Sequence, residues 1–208
     1  MATIQDFMPY VLPSVQGCTD LLAEQHIRDV CIDFCIGSSI VQITLDPIDV
    51  LAGQAEYDID TPNGSDTSLI LAASYGGMPL TVEKTGDNVF LGSAVPVGTP
   101  TTLMQAPANI FTLNRTPQFD APGAIQMLVA TKPTRSAASV ADVLMEYAYE
   151  IGQGVVGRLL MIPGQEFSAP QFAGIYTGIY STAKHAARIR AERSFGSAGT
   201  RVRARPFG

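Results

Sequence analysis

Two cysteines and a histidine come nearest to a chemical site in this 208-residue chain. Cys31 and Cys35 are four positions apart and His26 lies nearby, so on a helix the set is a candidate for metal ligation. The two cysteines, however, share an apolar helical stripe with Val30 and Phe34, where cysteine packs as a small hydrophobic residue. We therefore expect both cysteines in the core and no bound metal.

Other patterns that could support catalysis are weaker still. The two histidines of the chain are too scattered for a nucleophilic triad, and Ser38 and Ser39 lack the G-x-S-x-G context of a nucleophile elbow. Asp58 and Asp60 flank a strand end beside a turn and resemble a solvated loop rather than an acid–base pair. The glycine-containing turns match no phosphate-binding loop. The sequence therefore predicts a protein that is not an enzyme and that needs no cofactor.

A basic segment follows an acidic body. Residues 184–208 contain seven basic residues and one acid, Glu192, so they carry +6; because the whole chain carries −6, residues 1–183 carry −12. Such asymmetry usually means that the segment has its own target. Residues 195–208 are broken by Gly and Ser and cannot pack a core, so we expect an extended arm that only a partner orders. The side chains that we predict to bind the partner are Lys184, Arg188, Arg190, Arg193, Arg201, Arg203, Arg205 and Phe207.

Three uses of this arm are open from the residues alone. It could neutralise nucleic acid phosphates, it could dock into an acidic groove of a protein with Phe207 as an apolar anchor, or it could stay solvated. Against nucleic acid, no aromatic residues alternate with the arginines for base stacking, and the body is acidic.

The low charge content points to subunit contacts. Charged residues make up 15% of the chain, against roughly 25% in an average soluble protein. Interfaces are depleted in charge at their centres, so we expect a homo-oligomer. No apolar run reaches the roughly 18 residues of a membrane span, and no secretory signal is visible, so we expect a soluble protein made in the cytoplasm. Three cysteines without framework spacing argue against disulfides.

Three helices are predicted around a β region. The periodicity of apolar residues favours helices at 19–36, 139–162 and 168–193, the second of which begins with a capping-box pattern from Ser139 to Asp142. The second helix contains Gly152, Gly154 and Gly157, each of which costs about 1 kcal/mol in a helix interior. Three glycines so close together predict a neighbouring helix packed tightly against this backbone. The third helix carries apolar positions at Phe172, Ile175, Tyr176, Ile179, Ala183 and Ala186.

Between the first two helices, residues 38–133 read as short strands separated by Pro and Gly. The expected fold class is therefore α+β: a bundle of long α-helices, made of the first helix and a C-terminal antiparallel helix pair, with an inserted antiparallel β region. Residues 1–194 are expected to form one domain and residues 195–208 the extended arm.

Several segments together resemble the head-to-tail adaptor, or neck connector, proteins of short-tailed bacteriophages. The likeness lies in Gly17-Cys18 with residues 27–35 (IRDVCIDFC), 52–59 (AGQAEYDI), 157–164 (GRLLMIPG), 169–172 (APQF) with Tyr176 and 183–191 (AKHAARIRA), and 201–208 (RVRARPFG). These segments follow the family order along most of the chain, whereas residues 84–123 depart from the family pattern.

The resemblance implies a structural virion protein without enzymatic activity. Members of this family assemble as a dodecameric ring between the portal and the tail tube or nozzle of the virion, and their C-terminal arm reaches onto the portal ring. Genomic DNA passes through the bore without sequence-specific contact. An acidic body suits such a channel, because phosphates would not adhere to an acidic wall. No membrane partner is implied.

Overall fold

The computed structural model describes residues 1–84, 95–106 and 109–193. Its α-helices are α1 (Asp20–Ser38), α2 (Ala148–Leu160) and α3 (Pro170–Glu192), and 3-10 helices span Ile4–Tyr10, Leu12–Ser14 and Asp142–Tyr147. The strands are β1 (Ala2–Thr3), β2 (Gln42–Thr44), β3 (Ile48–Val50), β4 (Glu56–Asp58), β5 (Ser65–Tyr75), β6 (Met78–Lys84), β7 (Thr102–Ala106), β8 (Ile110–Leu113), β9 (Ala121–Pro133) and β10 (Ser139–Val140).

A mixed sheet of eight strands dominates the fold. Its order is β2-β9-β5-β6-β7-β8-β4, and β3 pairs with β9 beside β2. The two long central strands, β5 and β9, run antiparallel from the pair Ser65–Pro133 to the pair Tyr75–Ile125. Gly76 and Gly77 connect β5 to β6 with φ values of 55° and 81°, at which most residues other than glycine and asparagine are strained. Strands β6 and β7 pair in parallel, so the sheet is not purely antiparallel.

The predicted fold class is wrong, because the sheet rather than a bundle of long helices dominates the architecture. The predicted helix 139–162 is much shorter in the structure. Ser139 and Val140 form β10, which pairs with β1 near the N-terminus, and a 3-10 helix follows before α2 begins at Ala148. The capping-box pattern at Ser139 therefore lies in a strand. Strands β5 and β9 are longer than the short strands that the sequence predicts, and the parallel pairing of β6 with β7 makes the sheet mixed rather than antiparallel.

The described residues bury two hydrophobic cores. One lies within the sheet and includes Phe111, Leu113 and Ile125. The other joins the N-terminal 3-10 helices to α1, α2 and α3 and includes Phe7, Phe34, Leu144, Ile151 and Leu159. The two cores meet where α1 lies against β9. The helical core fixes the position of α3, and four of the predicted partner-binding residues lie on this helix or border it.

Helices α2 and α3 are antiparallel neighbours. Positions 154 and 157 of α2 face positions 180 and 177 of α3, and residues 161–169 make the connection between them. Helix α1 packs against both. The predicted arm, residues 195–208, lies outside the described residues.

Candidate interaction surface

The predicted partner-binding cations of α3 are engaged within the chain. The Lys184 ammonium lies 3.0 Å from an Asp33 carboxylate oxygen. Arg188 forms an ion pair of 2.9 Å with Glu192 one turn away. Arg190 donates a hydrogen bond to the Glu146 carboxylate. Four further predicted residues, Arg201, Arg203, Arg205 and Phe207, lie outside the described ranges.

Arg193 follows the last turn of α3 and is exposed. It forms no ion pair within the described parts of the chain. Of the predicted partner-binding cations that the structure describes, it is therefore the one best placed to meet a partner.

The Asp33 carboxylate joins all three α-helices. The Tyr180 hydroxyl donates to it at 2.6 Å and Lys184 at 3.0 Å, both from α3, while the Arg158 guanidinium of α2 lies 3.3 Å away. The Lys184 ammonium also sits 5.1 Å from the centre of the Tyr180 ring, a cation–π arrangement. This cluster explains why Lys184 points inward rather than toward a partner. Local sequence patterns could not reveal the cluster, because Asp33 and its α3 partners are about 150 positions apart.

The protonation of this cluster follows from its surroundings. Burial alone would raise the pKa of Asp33, but the hydrogen bonds from Tyr180 and Lys184 outweigh it and hold that pKa below its usual value. Burial, reinforced by the hydrogen bond to Asp33, raises the pKa of Tyr180. The Asp33 carboxylate is therefore charged and the Tyr180 phenol neutral at pH 7. The hydrogen bonds and ion pairs of the cluster hold α1, α2 and α3 together.

The three predicted close-packing glycines of α2 have no room for a side chain. A Cβ atom added at Gly154 would lie 2.6 Å from the Tyr180 ring, and one at Gly157 would lie 2.9 Å from the Thr177 methyl group. At Gly152 the neighbour is Tyr10 of the N-terminal 3-10 helix, at 2.6 Å, rather than a residue of a long helix. The glycines thus let α3 and the N-terminal segment approach the backbone of α2.

The side of α3 that faces away from the core is apolar. Phe172, Ile175, Ile179 and Ile189 are 53%, 63%, 37% and 37% exposed, respectively. With Thr182 and Ala186, which are also exposed, they follow one another at intervals of 3, 4, 3, 4 and 3 residues. This is the spacing of side chains that pack against another helix. The structure shows that the large apolar residues of the predicted helix lie outside the core, while Ala173, Tyr180 and Ala187 lie inside it.

The same face lacks charge in its first half. Residues 167–183 contain no Asp, Glu, Lys, Arg or His. Gly174 and Gly178 lie on the exposed side, and no described atom comes within 4 Å of a Cβ atom added at either. A solvated helix normally carries charged residues on its outer face. An apolar, uncharged and glycine-containing face instead has the composition of an interface core. The sequence contained this signal in the spacing and in the missing charges.

The candidate metal ligands are not grouped into a site. Cys31 and Cys35 are fully buried in the helical core, and burial raises the pKa of both thiols, that of Cys35 to about 12. Burial lowers the pKa of His26. Within residues 1–84, 95–106 and 109–193, no three His, Cys, Asp or Glu side chains come together as metal ligands do.

Two concave regions formed by described residues lie beside the helical core. One, of about 260 Å³, lies between the sheet and the helical core and is lined mainly by apolar atoms, with Cys35, Val140 and Leu144 in its wall. The other, an open groove of about 510 Å³, lies beside the end of α3, between Glu192 and Leu69 of the sheet.

Comparisons with known proteins add no family assignment. No protein-family model matches the sequence, and no curated protein matches it. Within the described part of the chain, every helix is too short or too polar to span a lipid bilayer.

Proposed function

We propose that this chain is a structural subunit of a bacteriophage head-to-tail adaptor ring. In this proposal the subunits join the portal to the tail tube or nozzle, and the ring, a dodecamer in related proteins, lines the channel through which genomic DNA leaves the head. The chain would be made in the host cytoplasm and end in the neck of the virion.

One observation carries the proposal: α3 presents an exposed apolar face along its length and leads directly into a strongly basic C-terminal segment. The apolar face suits contacts between subunits, and the basic segment suits a separate, acidic partner. A single helix thus connects two different interaction surfaces, as a protein that joins two rings requires. The resemblance of residues 157–164, 183–191 and 201–208 to the adaptor family points the same way.

The ion pairs of the α3 cations favour a protein partner over nucleic acid. Lys184, Arg188 and Arg190 are already paired with carboxylates of the same chain, which limits the number of phosphates that they could neutralise. The body that would lie beside the nucleic acid is acidic. The attachment function therefore rests on Arg193 and on residues 195–208.

Deletion of residues 195–208 tests the proposal. We expect the truncated protein to melt within about 1 °C of the full chain. For comparison, a stability change of 1 kcal/mol would shift the melting temperature by roughly 2–4 °C in a protein of this size. We also expect it to lose co-sedimentation with a purified portal ring. A matched full-length variant with Arg201, Arg203 and Arg205 changed to Gln keeps the length of the arm and tests its charge alone.

The alternative function, nucleic acid binding by the arm, makes a different prediction. It requires the full-length protein to bind duplex DNA with an affinity that falls steeply as salt increases. The adaptor proposal requires little affinity for DNA and stable attachment to the portal. If the truncated protein joined heads to tails normally, the arm would not take part in attachment.

A further inference from the structure

Asn63 and Gly64 are the only Asn-Gly pair in the sequence, and they lie at the centre of a tight turn. The Ser65 amide closes this turn by donating to the Pro62 carbonyl at 3.0 Å, and β5 begins at the same serine. Gly64 has a φ of 81°, which is the value that the third position of a type II turn requires. The turn is therefore well defined, and the Asn63 side chain is exposed on it.

The two groups that can react with each other in this turn are not engaged elsewhere. The Asn63 carboxamide forms no hydrogen bond with residues 1–84, 95–106 or 109–193, and neither does the backbone N–H of Gly64. A Cβ atom added at Gly64 would meet one described atom within 4 Å, the Ala137 methyl group at 3.8 Å, so the turn is open. Because glycine has no Cβ atom, nothing on Gly64 shields its nitrogen from the Asn63 side chain.

The other described asparagines are held in place. The Asn114 side chain accepts hydrogen bonds from the amides of Thr101 and Thr102 and donates one to the Thr101 hydroxyl. Asn109 bonds to β5 through both ends of its carboxamide. Each of the two is followed by a residue that bears a side chain. Among the asparagines that the structure describes, Asn63 is thus the one that combines an unengaged carboxamide with a following glycine.

We propose that Asn63 is a site of spontaneous deamidation in the folded protein. The Gly64 nitrogen, after loss of its proton to solvent, attacks the Asn63 Cγ atom. The new N–Cγ bond forms, the bond from Cγ to Nδ2 breaks, and Nδ2 takes up a proton and leaves as ammonia, which closes a succinimide ring. Water then opens the ring. Cleavage of the N–Cγ bond gives aspartate, whereas cleavage between the same nitrogen and the main-chain carbonyl carbon of residue 63 gives isoaspartate.

The two products affect the turn differently. Aspartate adds a negative charge and keeps the spacing of the backbone. Isoaspartate adds the same charge and also routes the backbone through the side chain of residue 63, which inserts a methylene group into the turn. This insertion should separate the Ser65 amide from the Pro62 carbonyl. It should also displace the Gly64 carbonyl, which accepts a hydrogen bond from the Thr134 amide at 2.9 Å.

The turn lies where the sheet meets the helical core. Gly64 is next to Ala137, which is buried and whose carbonyl accepts a 2.9 Å hydrogen bond from Arg28 of α1. Isoaspartate at position 63 should therefore weaken both the start of β5 and this contact with α1. The inference does not depend on the proposed function, because the reaction requires only the turn and water.

Timed incubation of the purified full-length protein at mildly acidic and mildly alkaline pH tests the proposal. Peptide mapping by mass spectrometry should show aspartate and isoaspartate accumulating at position 63, and an isoaspartate methyltransferase with a labelled methyl donor should label the incubated protein. The reaction should be faster at alkaline pH, because the attacking nitrogen must lose its proton. Asn63→Gln is the matched control and should stay unmodified, since its longer side chain closes a ring much less readily. Asn114 in the same samples should keep its amide.

Retention of the Asn63 amide in the folded protein would overturn the inference, and reaction of the urea-unfolded chain under the same conditions would then show that the turn protects this residue. Conversion of Asn114 as fast as Asn63 would overturn it as well. The isoaspartate form, separated by chromatography, should melt at a lower temperature than the Asn63→Asp variant. Equal melting of the two would contradict the effect on the turn. The portal-attachment assay is independent of all these results.

Discussion

The hydroxyl of Tyr180 in α3 donates a 2.6 Å hydrogen bond to the Asp33 carboxylate of α1, across 147 positions of the sequence. The same Tyr180 ring lies against the backbone of α2 at Gly154. One side chain therefore sets the distance of α3 from both other helices. The orientation of the outer face of α3 depends on this contact.

Tyr180→Phe should lower the free energy of unfolding by about 1–2 kcal/mol, because it removes a hydrogen bond to a charged group while keeping the ring. Urea unfolding followed by circular dichroism measures the change. Tyr149→Phe is the control, since Tyr149 is exposed, and it should unfold like the parent. Equal stability of the two variants would show that the Tyr180 hydroxyl contributes nothing to the fold.

Alanine substitutions at two glycines should have opposite signs. Gly154→Ala places a methyl group 2.6 Å from the Tyr180 ring and should destabilise the protein by about 1–3 kcal/mol. Gly174→Ala meets no described atom within 4 Å on the exposed side of α3 and should stabilise it by up to about 1 kcal/mol through helix propensity. Thermal unfolding of both variants provides the test. A stable Gly154→Ala protein would contradict the close approach of α2 and α3.

Stability should fall at alkaline pH. Burial raises the pKa of Cys31 and Cys35 above the value of 9.0 for a free thiol, and it also raises that of Tyr180 above 10.0. The folded state therefore retains protons that the unfolded state releases. The stability contributed by the two thiols is full below about pH 9 and declines above it, whereas that contributed by Tyr180 declines only above about pH 10. Each group loses roughly 1.4 kcal/mol per pH unit until its folded-state pKa is reached.

The alkaline decline can be assigned with one substitution. Cys35→Ala should make the pH dependence of the unfolding free energy shallower between pH 9 and about 12, the pKa of Cys35 in the folded protein. Cys18→Ala provides the comparison, because Cys18 is only partly buried. An unchanged slope in Cys35→Ala would mean that this thiol does not titrate differently in the folded and unfolded states.

The hairpin between β5 and β6 should require glycine at its second turn position. Gly77 has a φ of 81°, so Gly77→Val should destabilise the sheet by roughly 1–2 kcal/mol. Gly76→Asn should be tolerated, because asparagine adopts positive φ and Asn-Gly is a favoured hairpin turn. Chemical denaturation of the two variants distinguishes these outcomes, and equal stability would argue against a strained turn.

Local sequence patterns located elements better than they predicted architecture. The apolar stripe through Ile27, Val30 and Phe34 placed α1 within two residues of its observed ends, because helical periodicity is a local property. The capping-box pattern at Ser139 was misleading, because Ser139 pairs with Thr3, which lies more than 130 positions earlier. The parallel pairing of β6 with β7 is likewise a tertiary contact that the alternation of each strand does not specify.

The inner and outer sides of α3 could not be told apart from hydrophobicity alone. The helix carries large apolar residues on one side and Ala173, Tyr180 and Ala187 on the other. Because the glycines of α2 bring the two backbones close, small residues such as Ala173 fit between the helices and residues such as Ile175 do not. The glycines in α2 indicated close packing, but they did not identify which residues of α3 would fill the space.

The position of the sheet between α1 and α2 has a consequence for synthesis of the protein. The apolar side of α1 is buried by residues of α2 and α3, which leave the ribosome only after the whole sheet has been made. Contacts of such long sequence separation also form slowly in refolding. The sheet can therefore fold before α1 makes its contacts with α2 and α3, and the surface of α3 becomes available to other molecules only after the whole sheet has been made.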